Sequence, residues 1–155
     1  MSVLIRKMTA ADVPDAHAID VGSFTLPWPE RSLRFEVSEN QAARCWVGEM
    51  DGKVLGMMVL WKVVDEVHIA TLAVHPDCRR RGLAKRLLVH ALQAAYLEGG
   101  RSAYLEVRES NQAAQAMYAN FGFEEVGRRT RYYKDNGEDA ILMKLSKLEG
   151  MVESG

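Results

Sequence analysis

Residues 79 to 85, RRRGLAK, combine cations with a glycine where a strand pattern gives way to a helix pattern. An apolar run from Ala70 to Val74 precedes them and stops at Pro76, which has no N–H group for a sheet ladder. A helix start carries unpaired N–H groups and roughly half a positive charge, and a glycine lets a phosphate approach closely. The segment predicts a binding turn for a ligand with more than one phosphate.

The spacing within this turn differs from two common phosphate-binding motifs. A P-loop ends in Gly-Lys-Ser/Thr, and a dinucleotide fold needs Gly-x-Gly-x-x-Gly. Arg79 to Ala84 instead follows the pattern R-x-x-G-x-A. Three arginines alone more often form a solvated charge run. The preceding strand and Gly82 favour the phosphate turn.

Glu106 and Tyr118 are candidates for a general base and a general acid. Residues 103 to 108 alternate between apolar and polar side chains, with Glu106 on the polar face, and Tyr118 lies on the helix that follows. By residue type alone, Glu106 is more often a half-exposed carboxylate on a strand, and Tyr118 is more often an aromatic side chain of the core. Only the surrounding motif, residues 105 to 123, favours a catalytic role for these two residues.

The elements that must position these residues follow from periodicity, caps and turns. We predict strands near residues 2–7, 43–50, 53–64, 67–74, 103–108, 123–126 and 139–145, and helices near 9–21, 29–39, 83–98 and 111–121. Thr9 and Asp12 have the spacing of a capping box at the start of the first helix. Asp51-Gly52 is the expected hairpin turn. Antiparallel strands that lead into strand-helix-strand-helix-strand predict an α/β fold of the α+β type, with a mixed sheet and helices on both faces.

Two loops carry aromatic side chains that the neighbouring elements do not need for their own periodicity. One contains Leu26, Pro27 and Trp28, and the other contains Tyr132 and Tyr133. The first loop is either a hydrophobic plug beneath two helices or one wall of a substrate groove. As walls, the two loops would flank an extended peptide.

Composition limits the classes of function. The 155 residues suit a single domain over 1–148 with a flexible tail at 149–155, and the net charge of -1 argues against a nucleic-acid partner. Two cysteines, with neither a signal peptide nor a long apolar run, predict a cytoplasmic protein without a membrane partner. The four histidines lack metal-ligand spacing, so no metal is expected.

Several motifs, in order along the chain, make the sequence similar to the GCN5-related N-acetyltransferase (GNAT) family. They are LPW, LAVHPD, RRRGLA, LEVRESN, MYANFGF and RYYKDNGEDAILMKL. Within the family, the sequence most resembles the bacterial ribosomal-protein-alanine N-acetyltransferases. Arg79 and Ala84 instead resemble the archaeal and eukaryotic N-terminal acetyltransferases, because the bacterial type often has glutamine and glycine there.

The resemblance implies a GNAT acyl-CoA N-acyltransferase fold with acetyl-CoA as co-substrate. It implies that Glu106 accepts a proton and Tyr118 donates one. It also implies that acetyl-CoA is bound by a strand end, the phosphate turn and a helix cap, formed by Leu72, Ala73, Val74, Arg79, Arg80, Arg81, Gly82, Leu83, Ala84, Lys85 and Asn111.

Three functions remain open at this point. The first is acetylation of a protein N-terminus, with a ribosomal protein as the target implied by resemblance and alanine or serine as the expected first residue. The second is acetylation of a small amine, such as a polyamine or an antibiotic, or of a lysine. The third is a non-catalytic acyl-CoA sensor. A paired base and acid argue against the sensor, and the aromatic loops favour a protein N-terminus.

Overall fold

A computed structural model describes residues 3–24, 27–79 and 82–149. Its strands are β1 (Val3–Lys7), β2 (Ala43–Met50), β3 (Lys53–Val63), β4 (Glu66–Val74), β5 (Ser102–Arg108), β6 (Glu124–Arg129) and β7 (Ala140–Leu145). Its α-helices are α1 (Val13–Ser23), α2 (Glu30–Ser38), α3 (Leu83–Leu97) and α4 (Gln112–Asn120), with short 3-10 helices at Ala10–Asp12 and Pro76–Cys78.

The strands form one mixed sheet, as the sequence predicted. Their order is β1-β2-β3-β4-β5-β7-β6, and only β4 and β5 pair in parallel. Helix α3 makes the crossover between these two strands, whose parallel pairing requires such a connection. The β2–β3 hairpin turns at Asp51 and Gly52, with φ angles of 52° and 78°, which is the backbone that an Asp-Gly hairpin turn requires.

The two faces of the sheet bury two different apolar cores. Alternate residues of the central strands point to opposite sides, so that Met58 packs with α3 while its neighbour Met57 packs with α1 and α2. Tyr118 of α4 belongs to the same core as α3. The prediction of helices on both faces is therefore confirmed.

A pair of glycines lets α3 lie close to the sheet. Gly48 of β2 is opposite Gly56 of β3, and a Cβ atom at either position would be 2.8 Å from a side-chain carbon of α3. The carbons belong to Leu83 and Leu87, at the start of the helix. The glycines therefore help to fix the N-terminus of α3, on which the phosphate turn depends.

Strands β4 and β5 separate soon after they meet. Their pairing covers only Glu66 to His68 of β4 and Ser102 to Tyr104 of β5, although β4 continues to Val74 and β5 to Arg108. Beyond His68, the β5-facing edge of β4 has no strand partner among the described residues. The divergence opens the sheet at its centre.

Several predicted boundaries were wrong, for local reasons. The predicted capping box is present, since Asp12 accepts hydrogen bonds from the Thr9 N–H and hydroxyl groups at 2.7 and 3.0 Å. It starts a 3-10 turn over Ala10–Asp12, however, and the α-helix begins only at Val13. Pro29 precedes α2 with extended backbone rather than occupying its first turn. Strand β6 extends to Arg129 because β7 pairs with it along its length.

The predicted tail lies almost wholly outside the described residues, which end at residue 149. Among the described residues, no helix is both long enough and apolar enough to cross a membrane.

Candidate active site

Two adjoining cavities occupy the opening between β4 and β5. The first cavity lies between the strands and is lined by Asp20, Trp28, Thr71, Glu106, Tyr133 and others. The second cavity lies between the end of β4 and the starts of α3 and α4, lined by Val74, Arg79, Gly82, Lys85, Met117 and others. Both linings share Phe24, Leu72, Asn111, Ala114 and Tyr118. The cavities therefore meet along these five residues, one of which is Tyr118.

The second cavity collects the residues predicted to bind acetyl-CoA. Every one of them that the structure describes lines it, whereas Arg80 and Arg81 lie outside the described residues. Gly82 has a φ of +80° and caps the N-terminus of α3, and a Cβ atom there would meet nothing within 4 Å. Helix α3 has no acidic residue in its first turn. Its unpaired N–H groups and Lys85 thus form a donor set that suits a pyrophosphate.

Arg79 is bonded to the ends of two neighbouring elements. Its Nε atom donates to the Val74 carbonyl at 3.3 Å, and its Nη2 atom donates to Ser23 Oγ at 3.2 Å. These bonds join the end of α1 to the end of β4. Arg79 therefore stabilises the wall of the second cavity through hydrogen bonds and also contributes a positive charge to it.

Glu106 lies at the edge of the first cavity between two basic side chains. Its Oε2 atom is 2.6 Å from Nε2 of His68, and its Oε1 atom is 3.6 Å from Nε of Arg129. The Glu106 side chain is only 11% exposed, whereas that of Arg129 is 52% exposed. The carboxylate is therefore largely buried, lies near the Arg129 guanidinium and still borders the cavity. This position suits a group that accepts a proton from a bound amine.

Tyr118 is the buried group at the junction of the two cavities. The spacing of apolar residues on α4 buries its ring, which packs edge-to-face against Phe123 with centroids 5.5 Å apart. Burial raises the pKa of Tyr118 above its ordinary value. The hydroxyl group therefore stays protonated and can act as a donor toward either cavity.

Asn111 connects the site to the start of α4. Its side-chain oxygen accepts a hydrogen bond from the Ala114 N–H at 3.1 Å, which is the predicted helix cap. Because Asn111 lines both cavities, the side chain that starts the helix also borders the proposed acetyl-CoA site.

Only some of the residues predicted to form the substrate walls lie beside a cavity. Trp28 and Tyr133 line the first cavity, Pro27 and Tyr132 line neither cavity, and Leu26 lies outside the described residues. Trp28 stacks nearly parallel to Trp61, with ring centroids 6.1 Å apart. Trp28 therefore fits both interpretations of its loop. It packs against the sheet, as a hydrophobic plug would, and it borders a cavity, as a groove wall would.

Asp20 was missed by the sequence-based prediction of the site. Its carboxylate accepts hydrogen bonds from the Trp28 N–H at 2.9 Å and from the Thr71 hydroxyl at 3.4 Å. Burial raises its pKa, and the two hydrogen bonds oppose that change. The only sequence signal was an acid at a position where helical spacing calls for an apolar residue, next to Ile19.

Arg108 anchors the other wall. Its guanidinium donates to Asp135 at 2.9 Å and to Glu138 at 3.3 Å, and it lies 4.0 Å from the centroid of the Tyr133 ring. Burial raises the pKa of Tyr133 to about 12. The β6–β7 loop is thus fixed to β5 by ion pairs and a cation–π contact.

The family assignment rests on comparison with known proteins. The Acetyltransferase (GNAT) family model matches residues 13–123, which is more than half of the chain. The chain belongs to the GNAT acetyltransferase family. It is therefore an N-acetyltransferase that depends on acetyl-CoA. The family match and the fold of a solved relative confirm the predicted fold class.

Named relatives of this GNAT chain cover nearly all of it. The ribosomal protein bS18-alanine N-acetyltransferase of Escherichia coli K12 is 34% identical over 145 residues, 91% of this chain and 95% of the relative. The N-alpha-acetyltransferase RimI of Mycobacterium tuberculosis is 34% identical over 149 residues, 92% of this chain and 91% of the relative. The crystal structure of the ribosomal-protein-S18-alanine N-acetyltransferase from Escherichia coli has a TM-score of 0.86 at 32% identity and covers 93% of each chain.

The described residues contain no group of three or more His, Cys, Asp or Glu side chains placed to hold a metal ion.

Proposed function

We propose that this GNAT enzyme acetylates the α-amino group of a protein that begins with alanine, with a ribosomal protein as the leading target. Relatives that match it along nearly its whole length are named as alanine N-acetyltransferases of ribosomal protein bS18. The arrangement of the two cavities supports the same reaction. A ribosomal target would place the reaction in the cytoplasm.

The position of Glu106 and Tyr118 carries the proposal. Glu106 lines only the first cavity, whereas Tyr118 lines both. An amine bound in the first cavity would meet the carboxylate, and the thioester of acetyl-CoA in the second cavity would end near the phenol. A proton acceptor and a proton donor are thus available where the two substrates meet.

The role of each group follows from its protonation. Acetyl-CoA supplies an acetyl group activated as a thioester. Glu106 accepts the proton of the ammonium group, directly or through a water, so that the amine can attack. Backbone N–H groups on the unpaired edge of β4 can stabilise negative charge that develops on oxygen. Tyr118, which burial keeps protonated, donates its proton to the departing thiolate as the C–S bond breaks. The nitrogen, now bonded to the acetyl carbon, loses its second proton to solvent, and the phenol regains one from solvent.

The energy of deprotonation favours an α-amine over a lysine. An α-amino group titrates near ~8, so at pH 7 removing its proton costs roughly 1.4 kcal/mol. A lysine titrates near ~10.4, and removal costs roughly 4.6 kcal/mol. The two walls, with Trp28 on one side and Tyr133 on the other, also leave a gap suited to a chain end, which a protein N-terminus can enter more easily than a folded lysine-bearing surface.

A panel of peptides tests the proposal. Peptides that differ only in the first residue, each with an internal lysine, are incubated with acetyl-CoA and the enzyme, and spermidine is included as a small-amine competitor. Product is located by fragment mass. We expect acetylation at the N-terminus, with the highest kcat/KM for alanine and serine. Faster acetylation of spermidine or of the internal lysine would replace this proposal with a small-amine or lysine acetyltransferase.

A further inference from the structure

His68 contacts Glu106 from outside the first cavity. Glu106 lines the first cavity, whereas His68 does not. Their Nε2 and Oε2 atoms are 2.6 Å apart, and the side chains are 21% and 11% exposed. A contact this short between an imidazole nitrogen and a carboxyl oxygen requires a proton between them. Glu106 must be ionised to act as a base, and an ionised carboxylate can only accept, so His68 is the donor.

The packing of His68 fixes the direction of this hydrogen bond. The imidazole stacks on Tyr104, with centroids 4.5 Å apart and planes 4° from parallel. Trp61, its cross-strand neighbour, meets it edge-on at 5.3 Å. Tyr104 is also the last β5 residue that pairs with β4. The ring is therefore held in place at the point where the strands begin to separate, with Nε2 directed at the carboxylate.

We propose that His68 is a positioning residue for the Glu106 base: its Nε2–H group holds Oε2, so that Oε1, which lies 3.6 Å from Nε of Arg129, is the oxygen that accepts the proton of the substrate amine. This inference rests on the proposed catalytic role of Glu106. In the step, an N–H bond of the substrate ammonium breaks and an O–H bond forms on Glu106, while the Nε2–H bond of His68 stays intact. The proton later leaves Glu106 for solvent.

Two substitutions separate the hydrogen bond from the packing. His68→Gln retains an N–H donor near the position of Nε2 but loses the aromatic ring that stacks on Tyr104. His68→Phe retains the ring that stacks on Tyr104 but loses the donor. His90→Phe is the matched control, because His90 is also a half-buried histidine in edge contact with a tryptophan, Trp46, at 4.7 Å on the opposite core. It lies outside both cavities.

The test is kcat at a fixed pH, with an alanine peptide and with CoA release as the signal. We expect His68→Phe to lower kcat roughly 10- to 100-fold, with an unchanged KM for acetyl-CoA. We expect His68→Gln to stay within about 5-fold of wild type, because it keeps an N–H donor for the carboxylate. His90→Phe should match wild type.

Two outcomes would overturn the inference in distinguishable ways. If His68→Phe is as active as wild type, or His68→Gln loses as much kcat as His68→Phe, then His68 only packs against Tyr104. If Glu106→Gln, measured in parallel, turns over like wild type, then the proposed base itself is wrong. Thermal melting of each variant confirms that the compared proteins are folded.

Discussion

Replacing Gly82 by alanine isolates the contribution of the phosphate turn to acetyl-CoA binding. Gly82 has a φ of +80°, and an added Cβ atom meets nothing within 4 Å. Gly52, in the β2–β3 turn, has a φ of +78° and equally open surroundings. The two substitutions therefore impose the same backbone strain, and only the one at Gly82 adds a methyl group to the second cavity.

The expected magnitudes differ between stability and binding. A left-handed backbone costs a residue with a Cβ atom roughly 1–2 kcal/mol, so each variant should lose about 2–8 °C in Tm. At Gly82 the methyl group also keeps a pyrophosphate away from the N–H groups of the first turn of α3. Each hydrogen bond to a charged group that is lost in this way should raise the Kd for acetyl-CoA about 10- to 100-fold.

Calorimetry and thermal melting on both alanine variants give the comparison directly. We expect equal losses in Tm, with a raised Kd for acetyl-CoA only in Gly82→Ala. Gly82→Asp should bind more weakly still, because it adds negative charge at the helix N-terminus. The reasoning is refuted if Gly82→Ala binds acetyl-CoA as tightly as wild type, or if Gly52→Ala loses affinity to the same extent.

Further predictions concern catalysis, the substrate wall and stability. Glu106→Gln and Tyr118→Phe should each lower kcat roughly 10²-fold or more with an unchanged Kd for acetyl-CoA; wild-type turnover in either would remove that residue from the mechanism. Trp28→Ala should raise the KM for peptide while the KM for acetyl-CoA stays constant, and a change in the latter alone would contradict the proposed wall. Hydrogen bonds from the Arg6 guanidinium lower the pKa of Asp12 to about 2. Because this depressed pKa stabilises the fold only above the unfolded value near ~3.9, Asp12→Asn should lower the free energy of unfolding at pH 7 by roughly 2 kcal/mol. In denaturant titrations that difference should vanish as the pH falls from about 4 to 2, and a difference that persists at pH 2 would exclude the ion pair as its source.

Features fixed by local sequence could be predicted from the sequence. The Asp51-Gly52 turn, the Asn111 cap and the start of α3 after Gly82 each depend on a few adjacent residues whose backbone preferences are strong. The alternation in residues 103 to 108 likewise placed Glu106 on the polar face of its strand. The family resemblance then predicted which of these polar groups would share one site.

Features that depend on how distant segments meet could not be predicted. The contact between His68 and Glu106 requires the register of β4 against β5, and these strands are joined only through α3 and pair over three residues each. Nothing in the sequence near Asp20 indicates that its carboxylate binds the Trp28 backbone and the Thr71 hydroxyl. The length of β6 was underestimated because its outer residues are polar, and its pairing with β7 rather than its own apolar pattern extends it.

Fragment-ion mass spectrometry of a single peptide tests the proposed reaction most directly. The peptide carries an N-terminal alanine and an internal lysine, and it is incubated with acetyl-CoA and either the wild-type enzyme or Glu106→Gln. The proposed function predicts one acetyl group, confined to the N-terminal fragment, and a rate roughly 10²-fold lower with the variant. An acetyl group on the lysine fragment, or equal product from both proteins, would contradict it.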